Sequence, residues 1–231
     1  MQGKLDKIAN ITLVMKTLDN NLPFNLQIEN QLFSSGYELV AGGDEAGRGP
    51  IAGPVVAAIV VIKPGIYIPE VDDSKKLSSK KREKLFEEII TMVTDWSVAV
   101  VGPDLIDRLN IYRATKFALK VALNSLSIKP EALILDALEL KGFSGKQISL
   151  VKADEISFAV ACASILAKVI RDKIMEQYDK DFPGYGFKKN KGYLTREHRE
   201  ALELLGPSPI HRKSFEPIKS FYGQLKLFEK V

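Results

Sequence analysis

The chain has 231 residues, of which 45% are apolar, and carries a formal net charge of +4 with an isoelectric point near 8.9. This content can bury a substantial core in one domain with an appendage, and the mild positive charge permits an anionic partner without requiring one. No apolar run reaches the roughly 18 residues of a membrane span, and a single cysteine, Cys162, excludes a disulfide framework. Because the first residues also lack a signal-peptide core, we expect a soluble, monomeric, cytoplasmic protein.

The first half of the chain alternates predicted strands and helices after an N-terminal extension over residues 1–27. The predicted elements are, in order, a short helix over 26–32, strands over 37–42 and 54–62, a helix from Ser78 or Ser79 to about 93, a strand over 96–101 and a long amphipathic helix from Pro103 to about 126.

The second half continues the alternation. A fourth strand over 132–135 ends on Asp136, and a fifth over 147–151 ends just before Asp154. A helix over 157–178 is crowded with small residues in its first half, which predicts close packing on the sheet. With a last helix over 196–205, the pattern predicts an α/β fold with one main sheet and a helical appendage.

Two adjacent acids, Asp44 and Glu45, lie in a glycine-rich turn between two apolar runs. Gly47-Arg48-Gly49 follows at once, so carboxylate oxygens lie beside a bare backbone that a ligand can approach closely. The pattern predicts a cation site next to a phosphate site.

Three acids share one predicted position, since Asp44, Asp136 and Asp154 each fall at or just past the end of a buried strand. If the strands are neighbours, the acids converge with Glu45 at one edge of the sheet. Oxygen ligands without histidine or cysteine select Mg²⁺ or Mn²⁺ over zinc, and a carboxylate cluster of this kind suits two-metal phosphodiester hydrolysis. Taken singly, each acid has a structural alternative: Asp44 as a turn former, Asp136 in an Asx turn, and Asp154 as a helix N-cap.

Over about residues 28–220 the chain resembles the ribonuclease HII family, the type 2 ribonucleases H of bacteria. The motifs that carry the resemblance are Asp44-Glu45-Ala46-Gly47-Arg48-Gly49-Pro50, Ile51-Ala52-Gly53-Pro54-Val55-Val56-Ala57-Ala58, Asp73-Ser74-Lys75-Lys76-Leu77, Lys152-Ala153-Asp154, Ala163-Ser164-Ile165-Leu166-Ala167-Lys168-Val169, and Gly184-Tyr185-Gly186-Phe187 with Lys191-Gly192-Tyr193. The resemblance implies an RNase H-like catalytic core over 28–182, with a mixed five-stranded sheet flanked by helices. It also implies a C-terminal helical region over 183–222 that grips nucleic acid.

The resemblance also implies roles for individual residues. The metal-binding acids are Asp44, Glu45, Asp136 and Asp154. Gly47, Arg48 and Gly49 would reach a ribose 2′-hydroxyl through backbone groups, and Tyr193 would read the junction between a ribonucleotide and the following deoxyribose. Phosphate contacts are expected from Lys168 and Lys191, and from Arg171, Lys188 and Lys189, although a solvated face is the alternative for each single lysine.

The sequence departs from the family pattern at two positions. Ala137 stands where glycine is usual, and Asn190 stands where histidine is common; both could alter loop geometry. Asp172 is a second candidate for the fourth acid, but its place several turns inside a helix favours an ion pair with Arg171 or Lys173 instead.

The tail over 223–231 contains Gln224-Leu225-Lys226-Leu227-Phe228, which resembles the peptide by which bacterial replication and repair proteins dock on the polymerase sliding clamp. The alternative is a final amphipathic turn that packs Leu225 and Phe228 on the domain.

The sequence therefore predicts an endoribonuclease that hydrolyses the RNA strand of RNA–DNA hybrids. The resemblance further implies incision 5′ of ribonucleotides embedded in DNA, giving 3′-hydroxyl and 5′-phosphate ends. A catalytically weak hybrid-binding protein and a magnesium-dependent phosphatase for small esters are the alternatives.

Overall fold

The computed structural model describes residues 26–71 and 77–222. The predicted N-terminal extension, most of the motif that begins at Asp73, and the tail with Gln224, Leu225, Leu227 and Phe228 lie outside the described residues. The strands are β1 (Val40–Ala46), β2 (Val55–Ile62), β3 (Asp95–Val101), β4 (Ala132–Asp136) and β5 (Lys146–Leu150). The helices are α1 (Gln27–Ser34), α2 (Ser79–Met92), α3 (Pro103–Leu109), α4 (Ile111–Ser125), α5 (Ala153–Ile156), α6 (Phe158–Asp181), α7 (Phe187–Asn190) and α8 (Arg196–Leu205).

The five strands form one mixed sheet in the order β3-β2-β1-β4-β5. Strands β1, β2 and β3 are paired antiparallel, whereas β1 pairs with β4, and β4 with β5, in parallel. The predicted α/β fold with a mixed five-stranded sheet is confirmed. Because β1, β4 and β5 run the same way, their carboxyl ends meet at one edge of the sheet.

Alternate residues of β2 face two separate hydrophobic clusters, as expected for a strand buried on both faces. Val56, Ala58 and Val60 pack with helices α2 and α6 on one side. Val55 and Ala57 pack with helices α3 and α4 on the other. The sheet is therefore the middle layer of three.

Helix α6 lies unusually close to β1. A Cβ atom added to Gly42 would stand only 2.2 Å from the backbone carbon of Ala159 and 2.3 Å from the backbone nitrogen of Val160. The small residues of the first half of α6 permit this approach, as the sequence predicts. Although α6 has 24 residues, no helix in the described part of the chain is long and apolar enough to cross a membrane.

A third hydrophobic cluster joins the C-terminal region to the core. Phe187, Leu202 and Ile210 pack there on Ile51 and on Met175 of α6. The region therefore rests on the glycine-rich turn that follows β1 and on the second half of α6.

The structure contains two short helices, α5 and α7, that were not predicted, and it differs from the predicted elements in three further places. The predicted helix from Pro103 to about 126 is two helices, because Asn110 adopts φ 67° and ψ 162° and caps α4 by accepting a hydrogen bond from the Arg113 amide. Strand β1 extends through Asp44 and Glu45 instead of ending before them. Strand β5 is a half-buried edge strand, so Asp154 does not follow a fully buried one.

The contact between β1 and α6 predicts a sharp stability difference between two glycine substitutions. In Gly42→Ala the added Cβ atom would collide with the backbone of α6 at Ala159 and Val160. The substitution should therefore lower the free energy of unfolding by about 3 kcal/mol or more. Gly102→Ala is the control, because its added Cβ meets nothing within 4 Å and its φ of −73° suits alanine. Urea denaturation of both variants measures the difference; equal midpoints would contradict the packing described here.

Candidate active site

The parallel register places the predicted acids side by side. Gly43 of β1 is paired with Leu135 of β4, so Asp44 and Asp136 follow at neighbouring positions. The turn after β5 leads directly into helix α5, which carries Asp154. All of them line one cleft of about 320 Å³, whose lining residues are Asp44, Glu45, Ala46, Gly47, Arg48, Gly49, Asp136, Asp154, Ser164, Lys168, Arg171 and Tyr193. The structure thus brings together the predicted site residues except Lys188, Lys189 and Lys191, which do not line the cleft.

Each of three carboxylates is oriented by a different neighbour. Asp136 Oδ1 accepts hydrogen bonds from the backbone amides of Lys152 (2.8 Å) and Ala153 (3.4 Å), which the left-handed backbone of Lys152 points towards it. Asp44 accepts a hydrogen bond from the Ser164 hydroxyl on α6. Glu45 Oε1 lies 3.1 Å from a terminal nitrogen of Arg48. The acids are therefore held by the backbone, by α6 and by the glycine-rich turn.

Burial and mutual repulsion disfavour the charged forms of Asp44 and Glu45. The pKa of Asp44 is raised to about 8, mainly by burial and then by the neighbouring Glu45, with a smaller contribution from Asp154. The pKa of Glu45 is also raised, mainly by burial, although Arg48 opposes the shift. A protein that brings carboxylates together in this way needs protons or a cation to balance them.

The donor set fits a hard divalent cation. The cleft offers carboxylate oxygens, and both histidines lie elsewhere, so the ligand chemistry is that of Mg²⁺ or Mn²⁺. Within residues 26–71 and 77–222, no group of three or more histidine, cysteine, aspartate or glutamate side chains is already arranged to coordinate a metal ion. Arg48 is ion-paired with Glu45 and would have to move aside for that carboxylate to bind a cation.

The glycine-rich turn and Tyr193 form the other wall of the cleft. Tyr193 is half exposed, and a Cβ atom added to Gly49 would lie 3.4 Å from the Tyr193 ring. The carbonyl oxygens of Gly47 and Arg48 accept hydrogen bonds from the buried guanidinium of Arg212. Burial and the nearby Arg171 lower the pKa of Arg212 to about 9, so this guanidinium stays charged at neutral pH.

Three of the predicted phosphate contacts, Lys168, Lys189 and Lys191, are ion-paired in the structure. Lys168 lines the cleft and its Nζ lies 2.7 Å from Asp172 Oδ1, so Asp172 pairs with Lys168 and not with Arg171 or Lys173 as the sequence suggested. Lys191 lies outside the cleft lining and pairs with Glu176 at 2.9 Å.

Arg171 is buried, with 1% exposure, and donates to the carbonyl oxygens of Pro54 and Ala52. Its hydrogen bonds therefore go to the backbone of the turn, while its side chain also lines the cleft, and a phosphate contact stays a prediction. The structural alternative for Asp154 is wrong, because Lys152 and Ser157 are the N-caps of α5 and α6.

The two departures from the family pattern have local explanations. Ala137 has φ 48°, in the left-handed region that glycine adopts without strain, which accounts for the usual glycine there. Asn190 donates to the Tyr185 carbonyl at 2.7 Å and accepts from the Gly192 amide at 2.8 Å, so it fixes the turn before Tyr193.

Sequence reasoning missed the role of Ser164 and the buried pair of Arg171 and Arg212. Ser164 lies among small residues whose pattern indicates close helix packing, so the pattern gives it no separate role at the carboxylates. Arg212 follows a proline-rich segment without hydrophobic period, so no pattern marks it as buried.

The sheet order and the acid-lined edge define an RNase H-like fold with a carboxylate active site. A family model described as Ribonuclease HII matches residues 41–218. A protein called Ribonuclease HII from Carboxydothermus hydrogenoformans is 95% identical over 231 residues, covering 100% of both chains. The chain therefore belongs to the ribonuclease HII family and is a type 2 ribonuclease H, a hydrolase that acts on RNA–DNA hybrids.

Solved structures agree with this assignment. Ribonuclease H2 from Pyrococcus horikoshii is 31% identical with a TM-score of 0.69, covering 81% of this chain and 99% of that one. RNase HII in a PCNA:RNase HII complex from Archaeoglobus fulgidus is 28% identical with a TM-score of 0.64, covering 79% and 96%. Bst-RNase HIII in complex with Mn²⁺ is 21% identical with a TM-score of 0.61, covering 90% and 77%, and supports the fold alone.

The raised pKa of Asp44 predicts that the metal-free protein loses stability as the pH rises. Between pH 4 and about 8 the folded state holds a proton on Asp44 that the unfolded state releases, so the free energy of unfolding falls with increasing pH. Asp44→Asn removes this penalty and should stabilise the metal-free protein by roughly 2 kcal/mol at pH 8, with little difference at pH 4.

Urea denaturation in EDTA at both pH values measures the effect. Asp104→Asn, at an exposed acid on α3, is the control and should show no comparable pH dependence. Adding Mn²⁺ should stabilise the wild type more than Asp44→Asn. A variant that is less stable than the wild type at pH 8 in EDTA would contradict the electrostatic description.

Proposed function

We propose that this protein hydrolyses the RNA strand of RNA–DNA hybrids and incises DNA 5′ of embedded ribonucleotides by two-metal-ion catalysis. The products would carry 3′-hydroxyl and 5′-phosphate ends. The observation that carries this proposal is that Asp44, Glu45, Asp136 and Asp154 share one cleft with the Gly47-Arg48-Gly49 turn and Tyr193. A site for phosphodiester chemistry and a site for sugar recognition are thereby adjacent.

The four acids would hold the cations. When bound, two divalent ions would lower the pKa of the attacking water and stabilise the departing 3′-oxygen. Ser164 orients the Asp44 carboxylate, and the amides of Lys152 and Ala153 orient Asp136, so these ligands are placed before substrate arrives. Arg48 would leave Glu45 for the substrate as the cations neutralise that carboxylate.

Sugar recognition would come from the opposite wall. Backbone groups of Gly47, Arg48 and Gly49 can reach a 2′-hydroxyl, which is the feature that distinguishes RNA from DNA. The half-exposed ring of Tyr193 can stack on the next deoxyribose while its hydroxyl bonds to the 2′-oxygen. Lys168, at the cleft, and Lys191, farther out, are proposed to contact phosphates once their ion pairs open.

The two alternative functions are less well supported. A hybrid-binding protein with weak chemistry does not require four acids in a common cleft, and the raised pKa values of Asp44 and Glu45 make the cluster costly to retain without catalysis. A phosphatase for small esters does not require the proposed sugar-reading wall, which consists of Gly47, Arg48, Gly49 and Tyr193. Steep loss of affinity with salt would distinguish a polymeric substrate from a small ester.

A clamp partner is proposed for the tail. Gln224, Leu225, Leu227 and Phe228 match a clamp-binding peptide, and the archaeal relative was solved in a complex with PCNA. Such a partner would bring the nuclease to replicated DNA, where ribonucleotide excision repair takes place.

Cleavage of a duplex DNA that carries one ribonucleotide tests the proposed chemistry. With Mn²⁺ or Mg²⁺ the wild type should cut on the 5′ side of the ribonucleotide, and Asp44→Asn should lower the rate by about 1000-fold or more, because a cation ligand is lost. Asp104→Asn is the matched control and should cut like the wild type. Gel analysis of end-labelled strands gives the position and the rate.

Two other outcomes would revise the proposal separately. If a continuous RNA–DNA hybrid is cut but the single-ribonucleotide duplex survives, the nuclease stands and the role of Tyr193 is wrong. If neither substrate is cut with either metal, the hybrid-binding alternative replaces it.

Deletion of residues 223–231 tests the clamp proposal. The deletion should abolish binding to the bacterial sliding clamp and leave cleavage of the single-ribonucleotide duplex unchanged, because the cleft residues all lie before the tail. Surface plasmon resonance with immobilised clamp measures the binding. Leu227→Ala with Phe228→Ala is a point-variant equivalent, and undiminished clamp binding by either protein would sink the proposal.

A further inference from the structure

Two consecutive residues of the C-terminal region, His211 and Arg212, reach both halves of the proposed sugar-reading wall. Both are buried, with 1% and 0% exposure, and neither lines the cleft. Arg212 contacts the glycine-rich turn, and His211 is linked to Tyr193 through His198. Both residues therefore lie behind the residues that line the cleft and contact them from the inside of the protein.

Arg212 fixes the direction of two peptide groups. Its terminal nitrogens donate to the carbonyl oxygens of Gly47 (2.6 Å) and Arg48 (2.9 Å), and its Nε donates to the Gly53 carbonyl at 3.0 Å. In a trans peptide the N–H points opposite to the C=O. Because the carbonyls of Gly47 and Arg48 point inward to Arg212, the amides of Arg48 and Gly49 point away from it, on the side of the cleft.

His211 begins a hydrogen-bond relay that ends on Tyr193. The Ser208 amide donates to His211 Nδ1 at 2.9 Å, His211 Nε2 lies 3.0 Å from His198 Nε2, and His198 Nδ1 lies 2.8 Å from the Tyr193 carbonyl oxygen. A carbonyl only accepts, so His198 Nδ1 carries a proton and its Nε2 accepts from His211. One consistent tautomer for each ring satisfies the whole relay. Burial lowers the pKa of both rings, which keeps them neutral.

The backbone of the same segment is tied to the turn. Arg212 donates its amide to the Ile51 carbonyl at 2.8 Å, and the Gly53 amide donates to the Ile210 carbonyl at 2.9 Å. The Ile51 amide donates in turn to the Gly192 carbonyl, next to Tyr193, at 3.0 Å. The segment, the turn and the loop of Tyr193 are therefore one hydrogen-bonded unit.

We propose that His211 and Arg212 are positioning residues for ribose recognition, which set the amides of Arg48 and Gly49 and the ring of Tyr193 at a fixed distance from each other. This inference rests on the proposed function, since it assumes that the turn and Tyr193 read the 2′-hydroxyl. Lysine cannot replace Arg212, because an ammonium group lacks the planar fan of donors that reaches three carbonyls at once.

Arg171 provides a matched comparison. It is as buried as Arg212 and lines the cleft beside Gly47, but it donates to the carbonyls of Ala52 and Pro54 and not to those of Gly47 and Arg48. Loss of either guanidinium removes a buried charge from the same neighbourhood. Only loss of Arg212 should release the amides of Arg48 and Gly49.

The experiment compares the affinities of each protein for two duplexes of the same sequence, one all-DNA and one with a single ribonucleotide, in EDTA to prevent hydrolysis. The ratio of the two dissociation constants is the ribose preference. Arg212→Lys and His211→Phe should lower this ratio about tenfold, the equivalent of roughly one hydrogen bond, while Kd for the all-DNA duplex changes little. Arg171→Lys should retain the ratio even where overall affinity falls.

A second measurement needs no variant. Hydrogen–deuterium exchange of the wild type should show the amides of Arg48 and Gly49 protected more by the single-ribonucleotide duplex than by the all-DNA duplex. Equal protection of these two amides by both duplexes overturns the inference. Because this measurement uses the wild type, it remains decisive if Arg212→Lys and His211→Phe fail to fold. Folded variants that keep the full ribose preference also overturn it, and leave the proposed function intact. A wild type without ribose preference overturns the proposed function itself.

Discussion

The close contact between helix α6 and strand β1 is the constraint on which the rest of the structure depends. Gly42 and Ala159 leave no room for a side chain between the two backbones, so the helix lies at one fixed depth on the sheet. From that depth α6 delivers Ser164 to Asp44, Arg171 to the turn after β1, and Met175 to the C-terminal cluster. A change at this contact would therefore displace Ser164, Arg171 and Met175 together, because all three are carried by the same helix.

The electrostatics of the site are divided between two neighbouring groups of opposite charge. Carboxylates gather at the sheet edge, where burial raises the pKa of Asp44 and of Glu45. Behind the turn, Arg171 and Arg212 are buried against carbonyl oxygens, and burial lowers the pKa of each. Neither group gains stability from this placement. Their retention is understandable if the acids hold cations and the arginines hold the turn, because both tasks need charge at a defined position.

How much the sequence predicts depends on how local the cause is. The position of the acids at the sheet edge can be predicted from strand patterns and from the geometry of parallel strands. The small residues of α6 likewise predict its close packing on the sheet. The break at Asn110 does not follow, because helical hydrophobic spacing continues across it while one residue leaves the helix. Arg212 and the pairs of Lys168 with Asp172 and Lys191 with Glu176 depend on partners that only the tertiary fold supplies.

The proposed sugar-reading wall consists of Gly47, Arg48 and Gly49 in the first quarter of the chain and Tyr193 in the last, and His211 and Arg212 lie behind it. All four acids precede both the tyrosine and the residues that hold it. A ribosome therefore adds the four proposed cation ligands well before it adds Tyr193 and the residues behind it. Under the proposed roles, the order of the residues would place the selection of the sugar in the last quarter of the chain to be synthesised, after all four proposed cation ligands.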